Sequence, residues 1–175
     1  AEYVVLEEGL PGRNTMFCDP DAVKNGEHAL LPCLRTHTPI DLVVLMLGTN
    51  DLKLIFNPAD DRLAVGIARL VDCIRQHPEC GSHSESPHIL IVSPIHMARP
   101  KGRQDFYTAR GEEAGVRRSE LFAQAYELLA NEKGCFFIDA ARYANPDPAD
   151  GLHMTQESHP VLGHAIAQKI KEIYG

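Results

Sequence analysis

Hydrophobic positions along the chain fall into two kinds of pattern, and their alternation predicts the fold class. Short unbroken apolar runs occur at Tyr3-Val-Val-Leu6, Leu42-Val-Val-Leu-Met-Leu47, Ile89-Leu-Ile-Val92 and Cys135-Phe-Phe-Ile138. Each is too short to span a membrane, and the longer ones have the composition of strands buried on both faces of a parallel sheet. Between them, apolar residues recur at helical spacing. Leu63, Ile67, Leu70, Val71 and Ile74 share one face of a helix predicted from Pro58 to Gln76, with Asn57 as its cap and proline at its first position. Leu121, Phe122, Ala125, Leu128 and Leu129 line a helix from Glu112 to Lys133 that Gly134 stops. Val161, Leu162, Ala165, Ile166, Ile170 and Ile173 mark a last amphipathic helix, and a short one is expected around Ala29 to Thr36. Strands alternating with helices predict one α/β domain over residues 1–175: three layers, a mostly parallel sheet, helices on both faces.

The polar breaks in this pattern locate the chemistry. Leu42 to Leu47 reads as the central strand, and it ends in Gly48-Thr-Asn-Asp51, at the carboxyl end where open α/β sheets bind ligands. Asn50 there carries an amide able to donate to developing negative charge. After the first run, Glu7-Glu-Gly-Leu-Pro-Gly-Arg13 has turn composition, and backbone N–H groups between Gly9 and Gly12, those of the side-chain-free glycines above all, could face a ligand. Ile95 to Gly111 is irregular, leaves a strand's carboxyl end, and is expected to wall a pocket with Phe106 or Tyr107. Asp150-Gly-Leu-His153 separates the last strand from the last helix. Its spacing lets the carboxylate reach one imidazole nitrogen while the other faces outward, the orienting half of an acid/base triad. Taken singly, each signal has a plainer explanation as a turn, a loop or a helix cap.

Composition narrows the partners. A formal charge of -7 argues against a phosphate-backbone partner, which calls for a basic patch, so no nucleic acid is expected. The cysteines number five, Cys18, Cys33, Cys73, Cys80 and Cys135, without C-x-x-C spacing; neither a disulfide framework nor a zinc ribbon is indicated. No histidine spacing matches a recognised zinc pattern, so no metal and no cofactor are expected. The absence of a charged-then-apolar leader, a long apolar segment or a lipidation signal predicts a soluble, cytoplasmic protein without a membrane partner, although a leader removed before Ala1 would leave no trace.

The combination resembles the SGNH hydrolases, also called the GDSL esterase/lipase family, and most closely their arylesterase/acyltransferase branch. Gly48-Thr-Asn-Asp51 is similar to the family's third block, whose oxyanion asparagine falls at Asn50. Asp150-x-x-His153 resembles the fifth block, whose Asp and His belong to the triad. Glu7-Glu-Gly-Leu-x-x-Arg13 is similar to the second block of that branch, with its oxyanion backbone donor at Gly12. The likeness runs from Tyr3 to the C-terminus in the family's order. It implies a flavodoxin-like sheet of order 2-1-3-4-5, a small ester as substrate, and hydrolysis or acyl transfer through an acyl-serine. Related arylesterases often form homo-oligomers, and the same is expected of this chain.

One part of the pattern is missing. The family's first block, a Gly-Asp-Ser-Leu-like stretch carrying the nucleophile, occurs nowhere in the sequence. Six serines are present (Ser82, Ser84, Ser86, Ser93, Ser119 and Ser158), and none matches it; Ser93 alone sits at a strand's carboxyl end, where Pro94 makes a turn the simpler reading. The expectation is that the nucleophile and the first strand lie upstream of residue 1. The sheet would then hold a slot between Tyr3–Leu6 and Leu42–Leu47, filled by an N-terminal fragment or by a strand of another copy. Three other readings are weighed. One is a serine-less binding module that keeps the pocket for a small ligand. Another is a cysteine nucleophile, Cys18 or Cys33, paired with His153. A nucleotide-binding domain is disfavoured because neither G-x-G-x-x-G nor G-x-x-x-x-G-K-[ST] follows any strand.

Overall fold

A computed structural model of the chain describes residues 3–175, apart from the side chain of His83. Strands β1 (Leu42–Leu45), β2 (His88–Ser93) and β3 (Phe136–Asp139) form a parallel sheet in the order β1-β2-β3. The register sets Leu42 beside His88 and Ser93 beside Asp139, so all three strands deliver their carboxyl ends to one edge. The helices are α1 (Gly26–Thr36), α2 (Val65–Arg75), the short α3 (Asp105–Thr108), the long α4 (Glu113–Glu132) and α5 (Ser158–Tyr174).

Side chains of a strand alternate between faces, and β2 shows what that does here. Ile89 and Ile91 enter a cluster with Ile67 and Ile74 of α2 and Phe122 and Tyr126 of α4. Leu90 and Val92 enter a second cluster with Ile138 of β3 and Leu162 of α5. The continuous apolar run is therefore the mark of a strand covered on both sides, and the three-layer α/β architecture follows from it. Among the described residues no helix is long and apolar enough to cross a membrane.

Several boundaries differ from the sequence expectation. β2, not the run at Leu42–Leu47, is the central strand: among the described residues β1 pairs only with β2, and its Val44 is 41% exposed. Tyr3–Leu6, expected as a strand, has no strand partner among the described residues, and Val4 and Val5 are 86% and 78% exposed. A strand needs a neighbour to take up its backbone groups. Among the described residues β1 keeps its outer edge unpaired, as β3 does at the other end of the sheet. The helix expected from Pro58 begins only at Val65, because Asn57 takes a left-handed conformation (φ 50°) and Ala59 is extended, so Pro58 cannot open a helix. Ahead of it, Asp60–Arg62 makes a single 3-10 turn. The first helix starts earlier than expected, at Gly26, where the Asn25 side chain accepts from the His28 amide.

Two loops matter most for the site. After β1, Gly48 adopts φ 134°, and Thr49–Leu52 forms a 3-10 turn packed under α4, with the Tyr126 hydroxyl donating to the Leu47 carbonyl at 3.0 Å. The loop after β2 is strapped to the loop after β3 by Ala98 N–H to Gly151 O at 2.8 Å, Lys101 N–H to Pro148 O at 2.7 Å and Arg103 N–H to Ala149 O at 2.8 Å. Gly151, at φ 67°, lies so close to the Ala98 carbonyl that a side chain there would collide with it.

Candidate active site

Asp150 and His153 sit in the loop that leaves β3 and are joined by contacts within a single turn. Asp150 Oδ1 accepts from the backbone amides of Leu152 at 2.9 Å and His153 at 3.0 Å, a local turn that aims the carboxylate along the chain. Its other oxygen, Oδ2, lies 2.7 Å from His153 Nδ1. Partial burial pushes the Asp150 carboxyl up, but hydrogen bonds from the His153 ring and from the backbone outweigh it and hold the group below the usual carboxylate range. It is thus an ionised acceptor beside the ring. An anionic partner at Nδ1 fixes the proton there and leaves Nε2 as the basic nitrogen. The His153 side chain is 64% exposed, so Nε2 is open to a reacting group.

Asn50 comes from the turn after β1. Its Nδ2 donates to the Arg13 carbonyl at 3.1 Å, and its Oδ1 accepts from Arg110 at 2.7 Å. The first bond draws the Gly12–Arg13 peptide to the asparagine. Gly12, at φ 82°, belongs to a turn closed by Arg13 N–H to Leu10 O at 3.1 Å, and among the described residues no hydrogen bond takes the Gly12 amide. Thr15 extends the same attachment: its amide and hydroxyl bind the two Asp51 oxygens at 2.8 Å and 2.7 Å. Asp51 is buried, and burial pushes its carboxyl up to about 6 against the pull of the Thr15 hydrogen bonds.

A chain of contacts links the two halves. Arg110 donates to the Asn50 oxygen and, at 3.1 Å, to the Phe106 carbonyl; the Phe106 ring meets the His153 ring edge-on, with centroids 5.2 Å apart. Asn50, the Gly12 turn, Phe106 and the Asp150–His153 pair therefore gather at the carboxyl edge of one sheet. Phe106 is half-buried there, whereas Tyr107 is buried with its hydroxyl donated to Glu113 at 2.6 Å, so of the two expected pocket residues only Phe106 faces the histidine.

No serine completes the group among the described residues. Ser93 is buried and donates to Asp139 at 3.1 Å; Ser119 is spent on Val116 and Met97, Ser158 on Asn145, Ser82 on Asp41 and Ser86 on Arg75. Cys33 is raised above its ordinary pKa by burial and by Glu8, the reverse of what a thiolate nucleophile needs, and neither it nor Cys18 bonds to His153. Glu8, Cys33 and His37 come within 4.8 Å of one another, but Glu8 is already bound to His37 at 2.7 Å as an exposed pair. Sequence reasoning missed Arg110 altogether, since nothing distinguishes it from Arg99, Lys101 and Arg103 in the same irregular stretch.

Comparison with known proteins places this geometry. The description of a GDSL-like lipase/acylhydrolase family matches residues 1–161. The native aryl esterase of M. smegmatis superposes with a TM-score of 0.89 at 34% identity, over 98% of this chain and 80% of that one. Est24, a carbohydrate acetylesterase from Sinorhizobium meliloti, gives 0.88 at 34% identity, over 96% and 78%. A lipase/acylhydrolase from Enterococcus faecalis, at 19% identity and a TM-score of 0.60, shares the fold. Among curated proteins no sequence matches. With a family match across most of its length, and its carboxylate–histidine pair and Asn50 at one sheet edge, the chain belongs to the GDSL-like lipase/acylhydrolase, or SGNH, family of esterases.

Proposed function

We propose that the protein hydrolyses small carboxylic esters through an acyl-serine, the serine being carried by a strand-bearing segment outside residues 1–175 that fills the open edge of β1. The observation that carries this reading is the Asp150–His153 pair, with Nε2 exposed on the edge that also presents Asn50. In the reaction the serine Oγ attacks the ester carbonyl carbon while its proton passes to His153 Nε2. Asp150, already ionised, stabilises the imidazolium. The carbonyl oxygen becomes an oxyanion facing Asn50 Nδ2 and the Gly12 amide. Collapse breaks the carbon–oxygen bond, and the leaving alcohol takes the proton from His153. Water then attacks the acyl-serine by the same route in reverse, giving the acid; an alcohol in its place gives acyl transfer. The names of the relatives, an aryl esterase and a carbohydrate acetylesterase, favour a short acyl group such as acetyl.

The test has two parts. Intact mass and N-terminal sequencing of the natural protein should locate a Gly-Asp-Ser segment, and labelling with a fluorophosphonate should place the tag on its serine. That form should release p-nitrophenol from p-nitrophenyl acetate, and His153→Ala should abolish the release. A natural protein without that segment, or no turnover with it present, sinks the reading and leaves a ligand-binding module.

A further inference from the structure

Arg110 is a buried cation without a direct ion pair among the described residues: Asp105, the one carboxylate whose charge bears on it, is held by Arg103 at 2.7 Å. Only 2% of Arg110 is exposed, and among the described residues no carboxylate lies within ion-pairing distance of its guanidinium. Its three acceptors are all neutral: the Thr49 carbonyl for Nε at 3.0 Å, the Phe106 carbonyl for one terminal nitrogen at 3.1 Å, and Asn50 Oδ1 for the other at 2.7 Å. Burying a charge with no counter-charge in contact is costly. Burial lowers its pKa to about 10, which still leaves it charged at neutral pH. A residue needed only for packing would not call for a charge.

We infer that Arg110 is the positioning residue of the oxyanion hole, holding the Asn50 amide in one orientation and polarising it toward the substrate. Arginine has no acceptor, so the Asn50 end that faces it must be oxygen; the Arg13 carbonyl has no donor, so the end that faces it must be nitrogen. The two neighbours together leave the amide a single orientation. One Nδ2 hydrogen is taken by Arg13, and the other is left for an oxyanion. The guanidinium at Oδ1 draws electron density from the amide and makes that hydrogen a better donor, with no reorganisation when charge develops. Through Phe106 the same side chain also ties this donor to the loop that packs on His153. The inference rests on the ester-hydrolase reading for its catalytic consequence, but its geometric part stands without it.

The experiment is a double-mutant cycle in the serine-bearing form, with p-nitrophenyl acetate as substrate. Arg110→Met should lower kcat roughly ten- to a hundredfold with KM within about twofold, because the loss falls on the transition state. In the Asn50→Ala background the same change should cost less than about threefold, since the donor it positions is gone. Equal losses in both backgrounds would show a merely structural arginine and overturn the inference. Arg110→Lys keeps the charge but cannot span three acceptors, so it should recover only part of the rate; full recovery also overturns it. Should Arg110→Met fail to fold, Arg110→Lys carries the cycle. NMR of the Asn50 side-chain amide separates this proposal from the function itself: in Arg110→Lys its two protons should shift and exchange faster with water. An unchanged Asn50 amide refutes the positioning role even in an active enzyme. A perturbed amide in a protein without esterase activity keeps the positioning role and refutes the esterase.

Discussion

Thr15 is held to Asp51 by two hydrogen bonds, amide to Oδ1 at 2.8 Å and hydroxyl to Oδ2 at 2.7 Å, and this pair fastens the Gly12 turn to the turn bearing Asn50. The carboxyl is buried, and its pKa rises from 3.8 to about 6, chiefly through loss of solvation. Between those values the folded protein binds a proton that the unfolded chain has lost. Stability from this group is therefore fully present below about pH 4 and is lost as pH rises through about 6. The gap corresponds to about 3 kcal/mol, at about 1.4 kcal/mol for each pH unit. Asp51→Asn, which keeps an acceptor for the Thr15 amide, should remove that slope. Denaturant melts of both proteins from pH 4 to 7 check it: parallel curves would mean that Asp51 does not titrate in this window.

The carboxylate at Asp150 is expected to matter through its charge rather than its shape. Asp150→Asn preserves the Oδ1 acceptor for the Leu152 and His153 amides, so the turn should survive. Losing the anion at Nδ1 frees the imidazole to take the wrong tautomer, and kcat in the serine-bearing form should fall on the order of 10⁴-fold. A loss under tenfold would take Asp150 out of the triad.

Asn50→Ala removes one oxyanion donor and should lower turnover roughly a hundred- to a thousandfold, the usual effect of such a loss, with the fold intact. Steady-state kinetics beside a thermal melt distinguish the two effects, and unchanged kcat would show that the amide does not meet the oxyanion.

Phe106, against the His153 ring, should govern acyl or alcohol preference, and Tyr107, buried on Glu113, should govern stability instead. Phe106→Ala is expected to change the ratio of kcat/KM between acetate and butyrate esters, while Tyr107→Phe leaves that ratio alone and costs about 1 kcal/mol through its lost hydrogen bond. A selectivity change in the tyrosine variant but not the phenylalanine variant would reverse these roles.

The outer edge of β1 carries unpaired backbone groups, and apolar side chains at Val4, Val5 and Val44 are exposed beside or ahead of it in sequence. Residues 1–175 produced alone should therefore associate or aggregate, as unprotected strand edges do. Sedimentation and thermal unfolding test this, and a monomer with a single cooperative transition would rule it out.

Much of this protein is legible in the sequence, because some of its signals are local. Continuous apolar runs such as Ile89–Val92 mark strands that must be covered twice, and the stripe from Leu63 to Ile74 marks a helix that covers one of those faces, so the layered α/β class follows from solvation alone. Asp150 and His153 stand three positions apart, and a single turn joins them. What depends on partners distant in the sequence is not legible there. The apolar composition of Leu42–Leu47 suits a central or an edge strand equally, and only the pairing with β2 decides. Tyr3–Leu6 has strand propensity, but propensity without a neighbour to bond leaves it unpaired. Arg110 differs from the surface arginines beside it only in that the fold closes over it and sets Thr49, Asn50 and Phe106 as its acceptors. Burial and long-range hydrogen bonds, separated here by 60 residues between Asn50 and Arg110, are properties of the folded chain, and with them the orientation of the amide on which the chemistry is proposed to turn.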